Sequence, residues 1–252
     1  MLAVTIVCAT RTARAEDTAV NTEDDALAET LCRLNARVSP GQSRWTPAFC
    51  NTLATAVRQS AARHDLSPAL LVAVMINESD LDEKAALLSH WQGGVAKDSG
   101  LMGIRCELDG RGRCTNGLVK GMAWRKVMDP ATNIELGALY LDHYRDGGGE
   151  RRGGRIVRCR HRDHAYWAHY NHGTLFIKTG AARFYPDHVA VLAQALSETL
   201  NLSADARARR YTLARLQRAE RAGARRYVSL CRIIREAPPT IAAAEARAAT
   251  VF

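Results

Sequence analysis

Long apolar runs are missing from this 252-residue chain. No stretch approaches the roughly 20 residues that a membrane-spanning helix needs, which leaves no helical span. Aromatic residues make up only 6% of the chain. They are not interleaved with the arginines as a stacking platform for nucleic acid would require, so a nucleic-acid partner is set aside. Acidic residues fall short of basic ones, 26 against 35, for a formal charge of +9. Such a surface is drawn to anionic polymers. No internal repeat is found, and the apolar and charged fractions are otherwise those of a soluble globular chain.

The N-terminus also lacks something. Leu2 to Ala9 is a short apolar run, and Ala13-Arg14-Ala15 gives an A-x-A pattern before Glu16-Asp17, so residues 1–15 read as a signal peptide whose basic leading region is absent. Lipidation through Cys8 is disfavoured, because Thr5-Ile6-Val7 offers no small residue before it. Removal of residues 1–15 leaves Cys32, Cys50, Cys106, Cys114, Cys159 and Cys231, an even set suited to an exported, disulfide-bonded protein, periplasmic or secreted. The sequence does not choose among the possible connectivities. The favoured one is Cys106 with Cys114, Cys32 with Cys50 and Cys159 with Cys231, against the alternative of buried free thiols. An exported basic protein fits a polymer of the bacterial envelope.

Punctuation along the chain is helical. Thr46-Pro47, Ser67-Pro68 and Asp129-Pro130 each read as an N-cap followed by proline at the first helical position. A further helix is expected from Pro186 to Leu200, and one or two amphipathic helices across 203–236. Gly93-Gly94, Asp109-Gly110 and Asn116-Gly117 mark turns in a polar stretch over 80–117, where a loop or short β insertion is expected. A second, Gly- and Arg-rich break covers 147–160. The expected organisation is mainly α: an N-terminal segment over 16–45, a main domain over 46–200, and a C-terminal helical extension and tail over 201–252.

Within the helix from Ser67 to Ser79, a stripe of Leu70, Leu71 and Val74 is continued by Glu78. Helical steps of three and four would aim this carboxylate where the leucines point. Partial desolvation there raises a carboxyl pKa and lets it hold a proton near neutral pH, as a general acid must. The plainer alternative is that Glu78 begins a polar helix end with Asp80, Asp82 and Glu83.

Three downstream patterns bear on that choice: Gly100-Leu101-Met102-Gly103-Ile104; Asn133-Ile134-x-x-Gly137-x-x-Tyr140-Leu141; and Ala168-x-Tyr170-Asn171-x-Gly173. With Glu78-Ser79, in this order and spacing, they resemble the catalytic domain of the soluble lytic transglycosylases, over roughly residues 46–200. The resemblance implies a lysozyme-like fold and peptidoglycan glycan strands as partner and substrate. It makes Glu78 the sole catalytic acid and base and Ser79 the serine that follows it. Gly100, Leu101 and Met102 would line the saccharide groove, Tyr140 would lie in the helix beneath the cleft, and Tyr170 and Asn171 would form the Tyr-Asn pair beside the catalytic carboxyl. Tyr166 and Trp167 stand near that pair. No cofactor is implied, and no metal: Cys159-x-His161-x-x-His164 is not a standard zinc spacing, and arginines flank it.

The implied reaction cuts the β-1,4 bond between N-acetylmuramic acid and N-acetylglucosamine without added water. The alternatives are a hydrolytic lysozyme, with Asp80, Asp82 or Asp98 as second carboxylate, and a noncatalytic peptidoglycan-binding protein. Two departures stand out. Gly103 replaces the family's usual glutamine, and the segment before Gly100 is long, carrying His90, Trp91 and Gln92. Trp91 is a candidate for stacking on a sugar ring.

Overall fold

The computed structural model describes residues 13–38, 44–91, 94–152, 155–158, 165–172 and 185–200, together with Leu230 and Ile234. Its helices are α1 (Ala13–Val38), α2 (Pro47–Arg63), α3 (Pro68–Ser79), α4 (Trp124–Val127), α5 (Pro130–Arg145), α6 (Ala168–His172) and α7 (Tyr185–Leu200). Strands β1 (Ala86–Trp91), β2 (Gly94–Ser99) and β3 (Ile104–Leu108) form an antiparallel sheet between α3 and α4, and β4 (Gly149–Arg152) pairs with β5 (Arg155–Arg158). The fold is mainly α, as expected.

Local chemistry explains where helices start. Thr46 accepts a hydrogen bond from the Phe49 amide at 3.2 Å, and Asp129 accepts one from the Thr132 amide at 2.9 Å, each followed by a proline that has no amide to leave unpaired. Ser67 precedes Pro68 in extended conformation, without a side-chain cap bond.

The stripe inferred for α3 needs correction. Every residue from Ala69 to Ile76 is buried, so α3 has no solvent face until its last turn. A helix apolar all round belongs in a core, and α3 packs along α7 with contacts to α2 and α5. Glu78 is therefore not one position of a stripe; it stands half-buried where the central helix emerges. The helix stops in two consecutive left-handed residues, Asp80 (φ 55°) and Leu81 (φ 58°). Neither is glycine, and each such residue costs on the order of 1–3 kcal/mol. Leu81 is wholly buried, which anchors the turn.

The stretch expected as a loop or short β insertion is the three-stranded sheet. Ala86 pairs with Ser99 and Trp91 with Gly94; Val95 pairs with Leu108 and Ser99 with Ile104. The connection between β2 and β3 is Gly100–Gly103, closed by the Gly103 amide on the Gly100 carbonyl at 3.0 Å. The break expected over 147–160 contains the β4–β5 hairpin, in which Arg152 pairs with Arg155.

Among the described residues two disulfides form, Cys32–Cys50 and Cys106–Cys114. The first ties α1 to α2, and the second closes the turn after β3. The third favoured pair, Cys159 with Cys231, lies outside the described residues. So does the region 203–236, apart from Leu230 and Ile234, which are helical and buried in the core.

Cys32–Cys50 closes a loop of 18 residues. Cys32→Ser should lower unfolding free energy by about 2–4 kcal/mol, read by chemical denaturation under non-reducing conditions. An unchanged midpoint would show that the α1–α2 interface does not depend on the bridge.

Candidate active site

Glu78 is held from two sides. One carboxylate oxygen accepts a hydrogen bond from the Tyr185 hydroxyl at 2.5 Å. The other faces Gly103, where an added Cβ would stand 2.9 Å from that oxygen and 3.1 Å from the Glu78 Cβ. Gly103 is left-handed, with φ of 58°. Lack of a side chain at 103 is thus what lets the β2–β3 turn lie against the carboxylate.

That turn is fixed through its own backbone. The Gly100 amide donates to Ala85 O at 2.8 Å, and the Met102 amide to Asn133 Oδ1 at 2.7 Å. Leu101 O accepts from the Ser79 hydroxyl at 2.9 Å, and Met102 O from the Tyr170 hydroxyl at 2.7 Å. Asn133 is wholly buried, and its Nδ2 donates to Ser99 O and Val127 O, each at 2.8 Å. One amide therefore joins the start of the turn, its middle and the end of α4. Gly100 is glycine for a reason of space as well as of angle: with φ of 70°, a Cβ would fall 2.6 Å from Asn133 Nδ2.

Tyr170 is half-buried on α6. Burial of its hydroxyl pushes the phenol well above its ordinary pKa, and the charge of Glu78 adds to this, followed by Tyr140 and Tyr144. It stays protonated and keeps donating to Met102 O. Tyr140 lies partly buried on α5 and accepts from the Leu118 amide at 3.0 Å.

The inferred groove residues divide. Glu78, Ser79, Gly100, Met102 and Tyr170 are drawn together by the bonds above. Leu101 and Met102 bury their side chains completely, and Met102 lies against Gly137 of α5, so these two can present only backbone to a ligand. Tyr166 and Trp167 are core residues; the Trp167 indole donates to Pro186 O at 3.0 Å. Trp91 closes β1 and Asn171 falls in α6, but their side chains lie outside the described residues, as do Cys159, His161 and His164.

The rival carboxylates are engaged elsewhere. Asp80 occupies the left-handed position that ends α3, and Asp82 accepts from the Lys84 amide at 2.9 Å. Asp98, on β2, pairs across the strands with Arg105 at 3.7 Å. Burial raises its carboxyl above the usual range, and Arg105 offsets this only in part.

Two residues escaped the sequence reading. Tyr185 touches Glu78 from 107 positions away, and nothing in the pattern around Pro186 marks it. Trp124 donates its indole N–H to the Ser99 hydroxyl at 2.9 Å and carries Lys97 Nζ 3.7 Å above its ring, beside the strand end from which the glycine turn departs.

The Transglycosylase SLT domain model matches residues 55–185. The chain belongs to this family. No curated protein and no solved structure matches it. SLT domains are lysozyme-like and carry lytic transglycosylase activity on peptidoglycan, which lies outside the cytoplasm. Two disulfides fit that location. The match opens inside α2 and closes on Tyr185, so the Glu78–Tyr185 pair is spanned by SLT sequence while α1 lies outside it.

The SLT departure at Gly103 now has a physical reading. Gly103→Gln, which would install the family's usual residue, places a Cβ against the Glu78 carboxylate on a left-handed backbone. It should lower kcat on peptidoglycan fragments about tenfold or more by displacing the carboxylate, and cost about 1–2 kcal/mol of stability. Full activity in this variant would mean that the turn and Glu78 move independently.

Proposed function

We propose that the protein is an exported lytic transglycosylase in which Glu78 alone serves as acid and then base, cleaving the β-1,4 bond between N-acetylmuramic acid and N-acetylglucosamine. The supporting observation is that the matched domain has Glu78 at the mouth of its central helix, with its carboxyl between the Tyr185 hydroxyl and the side-chain-free Gly103.

The protonated carboxyl donates to the glycosidic oxygen, the C1–O bond breaks, and the N-acetylglucosamine side departs as an alcohol. The substrate's own N-acetyl group stabilises the positive anomeric centre, a known exception to the two-carboxylate rule. Glu78, now ionised, takes the proton from the muramic acid 6-hydroxyl as that oxygen bonds to C1. The product is a 1,6-anhydro ring, and Glu78 returns to its protonated form. Tyr185 suits the second half of the cycle: its hydroxyl donates to the ionised carboxylate and holds it in one orientation. Ser79, Tyr140, Tyr170, Asn171 and the backbone of Gly100–Met102 are assigned to the saccharide groove or its walls, and residues 1–15 to an export signal.

Digestion of purified peptidoglycan followed by mass analysis of the muropeptides tests this reading. Wild-type protein should yield products lighter by one water than hydrolytic ones, and Glu78→Gln should lose activity by about a thousandfold or more. Reducing ends in the wild-type digest would identify a hydrolytic lysozyme instead. Intact glycan together with binding would identify a noncatalytic module.

Tyr185→Phe gives a second test. A donated hydrogen bond favours the ionised form of a carboxylate, so its removal should carry the alkaline limb of the kcat profile to higher pH while lowering the maximum. An unmoved limb would separate Tyr185 from the titrating acid.

A further inference from the structure

The turn that ends the catalytic helix is braced from outside the SLT-matched span. Asn35, on α1, is 2% exposed. Its Nδ2 donates to Leu81 O at 3.2 Å, and its Oδ1 accepts from the Trp45 amide at 3.2 Å. Trp45 in turn donates its indole N–H to Glu83 Oε2 at 2.7 Å and packs edge-on against Phe49. The N-terminal segment thus bonds residues 81 and 83 on either side of Asp82.

What it braces is strained. Asp80 and Leu81 are consecutive, non-glycine and left-handed, a state that persists only when its surroundings over-determine it. The same turn controls both walls around Glu78. At its start it fixes Ser79, whose hydroxyl bonds Leu101 O. At its end, Ala85 O receives the Gly100 amide, and Gly100 opens the loop whose Gly103 lies on the carboxylate.

We propose that Asn35 is a positioning residue for Glu78: by holding the left-handed Asp80–Leu81 pair, α1 sets the carboxyl between Tyr185 and Gly103 and is part of the catalytic unit. This rests on Glu78 being the acid and base. Without the brace the turn relaxes toward right-handed angles, and the helix end and the Gly100–Gly103 loop lose their common anchor. A displacement of about 1 Å at a reacting group costs up to a hundredfold in rate.

The experiment uses the full chain with soluble, uncrosslinked glycan fragments, measuring kcat, KM and thermal midpoint together. Asn35→Ala should lower kcat per folded molecule by about tenfold or more with KM within about twofold. Asp80→Gly, which relieves the strain at one of the two left-handed residues, should restore part of that kcat in the Asn35→Ala background. If Asn35→Ala does not fold, Glu83→Ala removes only the outer bond to Trp45 and should give the same split at smaller amplitude. A purely structural Asn35 would lower the midpoint and leave kcat intact, which overturns the proposal, as does a kcat deficit that Asp80→Gly leaves untouched. Inactivity of the wild type would instead count against the transglycosylase reading. The brace is read even then by amide exchange: Asn35→Ala should speed exchange at both Leu81–Ala85 and Gly103, and an unchanged rate at Gly103 overturns the link.

Discussion

A single buried amide carries the architecture around Glu78. Asn133 has no exposure to solvent, yet it satisfies Ser99 O, Val127 O and the Met102 amide at once. In a dry interior each of those backbone groups would otherwise lose hydration without replacement, so the β2–β3 turn cannot drift from α5 without leaving several polar groups unpaired. Because the turn is locked, its carbonyls become fixed acceptors for Ser79 and Tyr170, and its glycine edge becomes a fixed surface for Glu78. Gly100 and Gly103 serve this lock: one makes room for the amide, the other for the carboxylate.

Two phenols then divide the work on either side of that surface. Tyr170 spends its proton on Met102 O, and with its ionisation pushed out of reach it acts as a constant strut. Tyr185 spends its proton on Glu78 itself. The contrast lies in what each hydroxyl faces, a backbone carbonyl for Tyr170 and the Glu78 carboxylate for Tyr185.

Much of this was legible from residues alone, for reasons that are local. Caps followed by proline reported helix starts because the bonds that make a cap lie within four residues, as at Thr46 and Asp129. Asn116-Gly117 reported a turn because Gly117 takes a left-handed φ of 54° that glycine adopts without steric cost. The favoured pairs Cys32–Cys50 and Cys106–Cys114 are those of the structure, each joining neighbours in sequence. The face of α3 was misread for an equally physical cause. In a helix buried on all sides, apolar residues carry no directional information, so the stripe leading to Glu78 was an accident of composition. Met102 likewise fits a groove or a core by its chemistry, and only the neighbouring Gly137 decides for the core.

By itself the sequence determined the mainly α composition and the helix starts, which follow from bonds and steric limits among residues close in the chain, and it carried the order and spacing of motifs that resemble the SLT family. Tertiary structure alone decided which hydroxyl meets the Glu78 carboxylate, which motif side chains are walled into the core, and that α1, outside the matched domain, braces the strained end of α3. Those contacts join residues 46 and 107 positions apart. A contact across such distances has no local pattern, because it depends on how whole helices pack rather than on what stands beside a residue in the chain.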